Sequence, residues 1–304
     1  MLRLNYDYES CVKSSERVAW TLDDAMPVGT KLDFERPFLP DELVLSSKIT
    51  CLDPRGRLAL NHLAAHSYLN LFAFVEEYIL ATMAQHATAE LFGNPHAIRA
   101  LSRFVDEEAK HQQLFARYKE AFSRDFAHPH VVLESQVAVA GVILSKSPIA
   151  VLLTTLHIEL MTQQHYVECV KDRADLDPLF AKLLHLHWLE ESQHAKIDAL
   201  ELDKLLDAAT PEQIQTGFDD YLDILAAFDG LLAQQAQHDL EALAEVLGRS
   251  LTDSEQKEIG DTCLAAYRKT FLTCGMNNPT FANLTRQISA PARERIEKRA
   301  ADLS

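Results

Sequence analysis

The pattern Glu-x-x-His occurs twice inside otherwise apolar helical sequence, as Glu108 to His111 and Glu191 to His194, with the second copy 83 positions after the first. Residues three and four apart share one face of an α-helix, so each copy aims a carboxylate and an imidazole in the same direction. A single copy is most often a solvated helix face. Two copies in apolar surroundings require a compensating charge, because an unpaired buried carboxylate is costly, and a metal ion supplies that charge. In the second copy His187 precedes Glu191 by one turn, and His187, Glu191 and His194 fall on one stripe. Asp177 and Pro178 mark the start of that helix. Leu183, Leu184, Leu186 and Leu189 surround the stripe, which predicts that it is buried.

A di-metal carboxylate bundle takes Glu-x-x-His from two helices and one Glu from each of the other two. Glu159, in LLTTLHIELMTQQHY, and Glu76 or Glu77, in LFAFVEEYILATMAQ, provide the missing pair. Glu159 precedes Glu191 by 32 positions, and Glu76 precedes Glu108 by the same 32. Adjacent helical residues diverge by roughly 100°, so only one of Glu76 and Glu77 can face the metals. Spacing favours Glu76, whereas Glu77 shares its side with the small residues Asn70, Ala73, Ala81 and Ala84, and the choice stays open. Glu107 and Glu190, at i−4 from the two histidines, are expected to be polar neighbours. His187 has Phe104 as its counterpart in the first half, which makes the site unsymmetrical if His187 is a ligand and not a core histidine. Tyr166, Thr155 and Thr162 follow Glu159's face as candidate neighbours or as plain packing. His66, His157, His165 and His185 lack a partner motif.

Four glutamates balance two divalent ions, and carboxylates with imidazoles suit iron or manganese. The five cysteines are odd in number and widely spaced, which fits reduced thiols and a cytoplasmic protein better than disulfides or zinc. A net charge of −16 argues against nucleic acid and anionic membranes as partners, and no segment is apolar for long enough to span a bilayer.

With 304 residues, 47% of them apolar, and only nine glycines, the expected fold is all-α, in a single domain. Residues 1–52 read as an irregular arm, 54–205 as the metal-binding bundle and 211–304 as accessory C-terminal helices. The first metal helix is expected from Pro54 to Phe92 with Gly93 as its cap, and the second from Pro95 to about Phe126. VVLESQVAVAGVILS reads as a short buried helix, and Ser147-Pro148 opens the third metal helix. Capping boxes at Thr210 and Thr252 open two more, and CGMNNP reads as a loop before one final charged helix ending near Asp302.

The ligand order, and above all the third histidine in His187, Glu191, His194, resembles the p-aminobenzoate N-oxygenase family of ferritin-like di-iron arylamine oxygenases. The segment YRKTFLTCGMNNPTF, Tyr267 to Phe281, is similar to that family's C-terminal portion. The resemblance covers roughly Arg57 to Phe281. It implies a ferritin-like four-helix bundle and two iron ions, with manganese as the alternative, bound by one of Glu76 and Glu77 together with Glu108, His111, Glu159, His187, Glu191 and His194. It further implies dioxygen as co-substrate, a small-molecule amine as substrate and an external electron donor or reductase, with a homodimer left open. The same residues also serve a carbon hydroxylase, a radical-generating subunit like that of ribonucleotide reductase, or a ferritin-like ferroxidase.

Overall fold

The computed structural model describes residues 2–133 and 136–304, and its described elements are helices. The N-terminal arm is more regular than expected. It carries α1 (Tyr8–Ser15), α2 (Leu22–Ala25) and α3 (Asp41–Val44), separated by extended and turn segments. The first two start at reciprocal side-chain caps, Asp7 with Ser10 and Thr21 with Asp24. Such caps sustain helices too short to show a hydrophobic period.

The four long helices of the bundle follow. α4 (Pro54–Ala89) starts at Asp53, which accepts from the Gly56 amide. It ends at Glu90, earlier than expected, and Gly93 is not the cap: the left-handed glycines are Gly29 and Gly248, not Gly93. α5 (Pro95–Asp125) begins one short turn later with Asn94 as its cap. The long crossover contains α6 (Gln136–Leu144), expected to be buried, yet Val142 and Leu144 are exposed on it; Glu134 and Ser135 of that stretch lie outside the described residues. α7 (Pro148–His165) continues as a π-helical turn over Tyr166–Val170. α8 (Pro178–Ala208) starts with Asp177 accepting from the Phe180 amide, as the sequence predicts.

α9 (Pro211–Leu247) has the expected capping box at Thr210 and ends in left-handed Gly248. α10 (Asp253–Tyr267) has its own at Thr252 and runs into a second π-helical stretch, Arg268–Thr273. The segment expected as a loop is partly a helical turn, α11 (Cys274–Asn277), and the final helix is two, α12 (Pro279–Ile288) and α13 (Ala290–Asp302). Asn278 and Ser289 cap these last two through their side chains, which is why the charged tail breaks where it does.

α4 packs along α5 and α7 along α8, with the pairs meeting through α5 and α8; α9 covers α4 and α7. Two hairpins joined by one long crossover is the ferritin-like arrangement. α1 and α2 lie across α5 and α8. Among the described residues, no helix is long and apolar enough to cross a membrane.

Candidate metal centre

The bundle brings its four inward-facing glutamates and three histidines together in two groups of potential ligands. One comprises Glu76, His111, His187 and Glu191, and the other Glu108, Glu159, Glu191 and His194. All seven are buried, at 0–3% exposure, while Glu77 is exposed on the outer face of α4. Of the two adjacent glutamates, then, Glu76 is the one inside. Its neighbours on the helix, Leu69, Phe72 and Met83, are buried core residues around the site.

The spacing of polar atoms is that of groups sharing an ion. His187 Nε2 stands 2.9 Å from Glu76 Oε1 and 2.6 Å from Glu191 Oε1. His194 Nδ1 stands 3.0 Å from Glu108 Oε1 and 3.1 Å from Glu191 Oε2. His111 Nδ1 is 3.3 Å from Glu191 Oε1 and 3.8 Å from oxygens of Glu76 and Glu108. Two ligands at right angles on an ion with bonds of about 2.1 Å stand about 3 Å apart. Several of these atoms are otherwise orphaned: both Glu108 oxygens, Glu76 Oε2, Glu159 Oε2 and His111 Nδ1 are buried without a hydrogen-bond partner. The short approach of His194 to Glu108 does not remove that deficit, because its angles are not those of a hydrogen bond. Buried polar atoms are normally satisfied, so a cluster of orphans pointing at one another fits a cation at each group.

Without cations the cluster relies on protons. Burial, aided by the Glu108 charge, pushes the Glu76 carboxyl up to about 8, and burial with the neighbouring Glu191 raises Glu159 well above the usual range. Burial opposes charging of His187, but Glu191 outweighs it and lifts the ring to about 9. His111 and His194 are likewise raised against their burial, by the nearby carboxylates of Glu108 and Glu190 for the first and by the Glu191 charge above all for the second. Imidazolium rings and neutral carboxyls thus supply the charge balance that metals would otherwise provide.

Glu107 and Glu190 orient the rings, crosswise. His111 on α5 directs Nε2 to Glu190 on α8 at 2.9 Å, and His194 on α8 directs Nε2 to Glu107 on α5 at 2.9 Å. A carboxylate accepts, so each Nε2 carries a proton and each Nδ1 faces the cluster, where its lone pair becomes available to a metal once the ring is neutral, the usual division of labour in a carboxylate–histidine–metal triad. Lys110 also donates to Glu190, and Ser15 to Glu107. Phe104, the counterpart of His187, stacks on the His194 ring at 3.7 Å. Phe72 and Phe115 meet His187 edge-on at 5.5 and 5.3 Å.

Other candidates fall elsewhere. Tyr166 bonds His185 at 2.6 Å and stacks on Trp188, and neither group includes it. Thr155 and Thr162 donate to carbonyls of their own helix. His157 bonds Tyr221 and the Phe271 carbonyl, and His66 meets His130. Two residues near the cluster were not singled out from sequence: Tyr78, whose phenol feels the charges of Asp198, Glu159 and Glu108, and Asp198, fully buried with both oxygens unpartnered. Asp198 had a signal, since it extends the Glu191–His194 stripe by one turn. Tyr78, an aromatic in an aromatic-rich helix, had none.

A cleft of about 400 Å³ is lined by His165, Cys169, Lys269, Thr270 and Cys274, where the two π-helical turns meet. Packed aromatic side chains lie between it and the cluster: Tyr68 hydroxyl is 3.3 Å from His165, Tyr68 packs on Phe72 at 4.7 Å, and Phe72 meets His187. A hollow of similar size at Ser147, Ile149 and Leu205 opens at the start of α7, about 15 Å along the helix from Glu159 at 1.5 Å per residue.

Solved structures of R2-like ligand-binding oxidases with a reconstituted Mn/Fe cofactor are similar to this chain. One aligns at 12% identity over 88% of this chain and 94% of its own, with a TM-score of 0.45, and a second at 12% over 88% and 94% with 0.46. No curated protein matches. The family model described as p-aminobenzoate N-oxygenase AurF matches residues 24–228, two thirds of the chain. The chain therefore belongs to the p-aminobenzoate N-oxygenase AurF family and is a di-metal oxygenase, an oxidoreductase that uses dioxygen with an iron cofactor.

Proposed function

We propose that Glu76, His111, His187 and Glu191 hold one iron, that Glu108, Glu159, His194 and the shared Glu191 hold the other, and that the enzyme oxidises the amino nitrogen of an arylamine. The observation that carries the ligand set is the shared carboxylate, Glu191, which belongs to both groups and would serve both ions. Four glutamates neutralise two divalent ions, so the loaded interior carries little net charge, as a buried site requires. When bound, the metal pair supplies electrons to dioxygen and activates it.

The protein's own part is placement and exclusion. Glu107 and Glu190 fix the tautomer of His194 and His111. Phe72, Phe104 and Phe115 pack against the imidazoles and keep water from them. The cleft at His165, Cys169 and Cys274 is a candidate entrance for a small substrate. Converting an amine to a hydroxylamine with dioxygen yields one water and consumes two electrons and two protons, so an external donor is required. The family match supports nitrogen oxidation.

The test is anaerobic loading with ferrous iron, metal analysis, and turnover of an arylamine panel with dioxygen and a chemical reductant. Two irons per chain and hydroxylamine, nitroso or nitro products are expected. Two irons with ring-hydroxylated products alone would replace nitrogen oxidation by carbon hydroxylation; one iron or fewer would overturn the ligand assignment.

A further inference from the structure

Ser15 and Trp20 lie outside the family-matched portion of the chain, yet Ser15 bonds one carboxylate that orients a metal-facing histidine and Trp20 packs on the lysine that bonds the other. The segment carrying them runs across α5 and α8 with Cys11, Val12, Ser15, Trp20, Ala25 and Met26 buried against the bundle. Tyr8 anchors one end by donating to Glu201 at 2.6 Å, and Arg117 holds the other by donating to Asp23 and to the Met26 carbonyl.

Each outer carboxylate uses one oxygen for its histidine and the other for a contact linked to this segment. Glu107 accepts from His194 on Oε2 and from the Ser15 hydroxyl on Oε1, and Ser15 in turn accepts from Arg103. Glu190 accepts from His111 on Oε2 and from the Lys110 ammonium on Oε1. That ammonium sits 3.9 Å from the centre of the Trp20 ring, which lies parallel to the His111 ring at 6.1 Å. A cation over an indole face is attracted to it, more strongly when water is excluded, and Trp20 is only 8% exposed. With the contact on its second oxygen weakened, either carboxylate could rotate and let its imidazole turn away from the metal position.

We propose that residues 8–26 are a clasp that slows metal release, Ser15 acting through Glu107 on the ion at His194, and Trp20 acting through Lys110 and Glu190 on the ion at His111. This rests on the two-metal reading above. Ser15 and Trp20 are positioning residues, since neither is among the metal-facing groups.

The experiment loads the full chain with cobalt(II), which needs no anaerobic handling of iron, and follows its loss to excess EDTA by absorbance. Wild type is measured first: fewer than two bound cobalt ions would overturn the two-metal reading and the clasp together. With two ions bound, Ser15→Ala is expected to speed one release phase by about tenfold and Trp20→Leu the other, the scale on which outer-shell partners affect metal affinity. Ser15→Thr should restore the wild-type rate. Lys110→Met, which leaves Trp20 in place, should speed the same phase as Trp20→Leu and serves if that variant does not fold. Wild-type release from Ser15→Ala and Lys110→Met would overturn the clasp while leaving the metal centre intact. So would equal acceleration of both phases in step with a lowered metal-free melting temperature, which would mark general loosening.

Discussion

Glu191 is the residue on which metal binding and fold stability should be most tightly linked, because it belongs to both ligand groups and is 2% exposed. A ligand that binds only the folded state stabilises it by about 2.7 kcal/mol when present at a hundred times its dissociation constant. Two ions under that condition contribute about 5 kcal/mol. Unfolding entropy near the midpoint is about 2 cal/mol/K per residue, which for 304 residues is about 0.6 kcal/mol/K. The midpoint should therefore rise by about 8 °C on loading with ferrous iron or manganese. Glu191→Gln keeps the side-chain volume but removes the charge, and most of that rise should disappear. Anaerobic differential scanning calorimetry of wild type and variant, each metal-free and loaded, measures both quantities. If wild type melts at the same temperature with and without metal, the seven residues do not form a metal site; if Glu191→Gln keeps the full rise, Glu191 is not shared.

Glu76→Gln should lower the metal content measured by elemental analysis, whereas Glu77→Gln, on an exposed side chain, should leave it at the wild-type value; the reverse result would move the ligand to Glu77. Metal binding near pH 7 should release protons, because the metal-free protein holds them on His187 up to about 9, on Glu76 up to about 8, and on the raised His111, His194 and Glu159. The sign follows from the direction of each shift: the imidazolium form of His187 stabilises the metal-free fold below the ordinary histidine range and that contribution is lost as pH rises through about 9, while metal needs the neutral ring, so affinity should climb from pH 6 toward pH 9. Titration of lightly buffered protein with manganese in a pH-stat reads the protons directly, and no release would show that the groups are already deprotonated.

Much of the side-chain cluster was legible because ligand chemistry restricts residue types and helical geometry restricts their spacing. Glu108, His111, Glu159, His187, Glu191 and His194 could be named from a repeated pattern, and Asp177, Thr210 and Thr252 gave helix starts that the caps reproduce. The choice between Glu76 and Glu77 was not legible from side-chain size. Ala81 and Ala84, on the side of Glu77, are partly exposed, while the bulky stripe with Glu76 is buried beside the cluster. Gly93 misled in the same way: a glycine after a helix is a cap only where the backbone turns left-handed, as at Gly248. The crosswise service of Glu107 and Glu190 depends on α5 meeting α8, a tertiary fact with no local signature.

That crosswise pairing also shows where the two halves stop being equivalent. Glu107 and Glu190 occupy matching positions 83 residues apart, and each holds the histidine of the opposite helix. At the next matched position the halves diverge: His187 offers a nitrogen to Glu76 and Glu191, whereas Phe104 lies flat on His194 and offers none. One group thus has two imidazoles and two carboxylates, and the other has one imidazole and three carboxylates. The second is the harder and more negatively charged set, which favours a harder or more highly charged ion. The outer contacts run the same way, with a lysine ammonium on Glu190, beside the imidazole-rich group, and a serine hydroxyl on Glu107. Two ions in this pocket would therefore differ in affinity and exchange rate even as the backbone around them keeps its pseudo-twofold order.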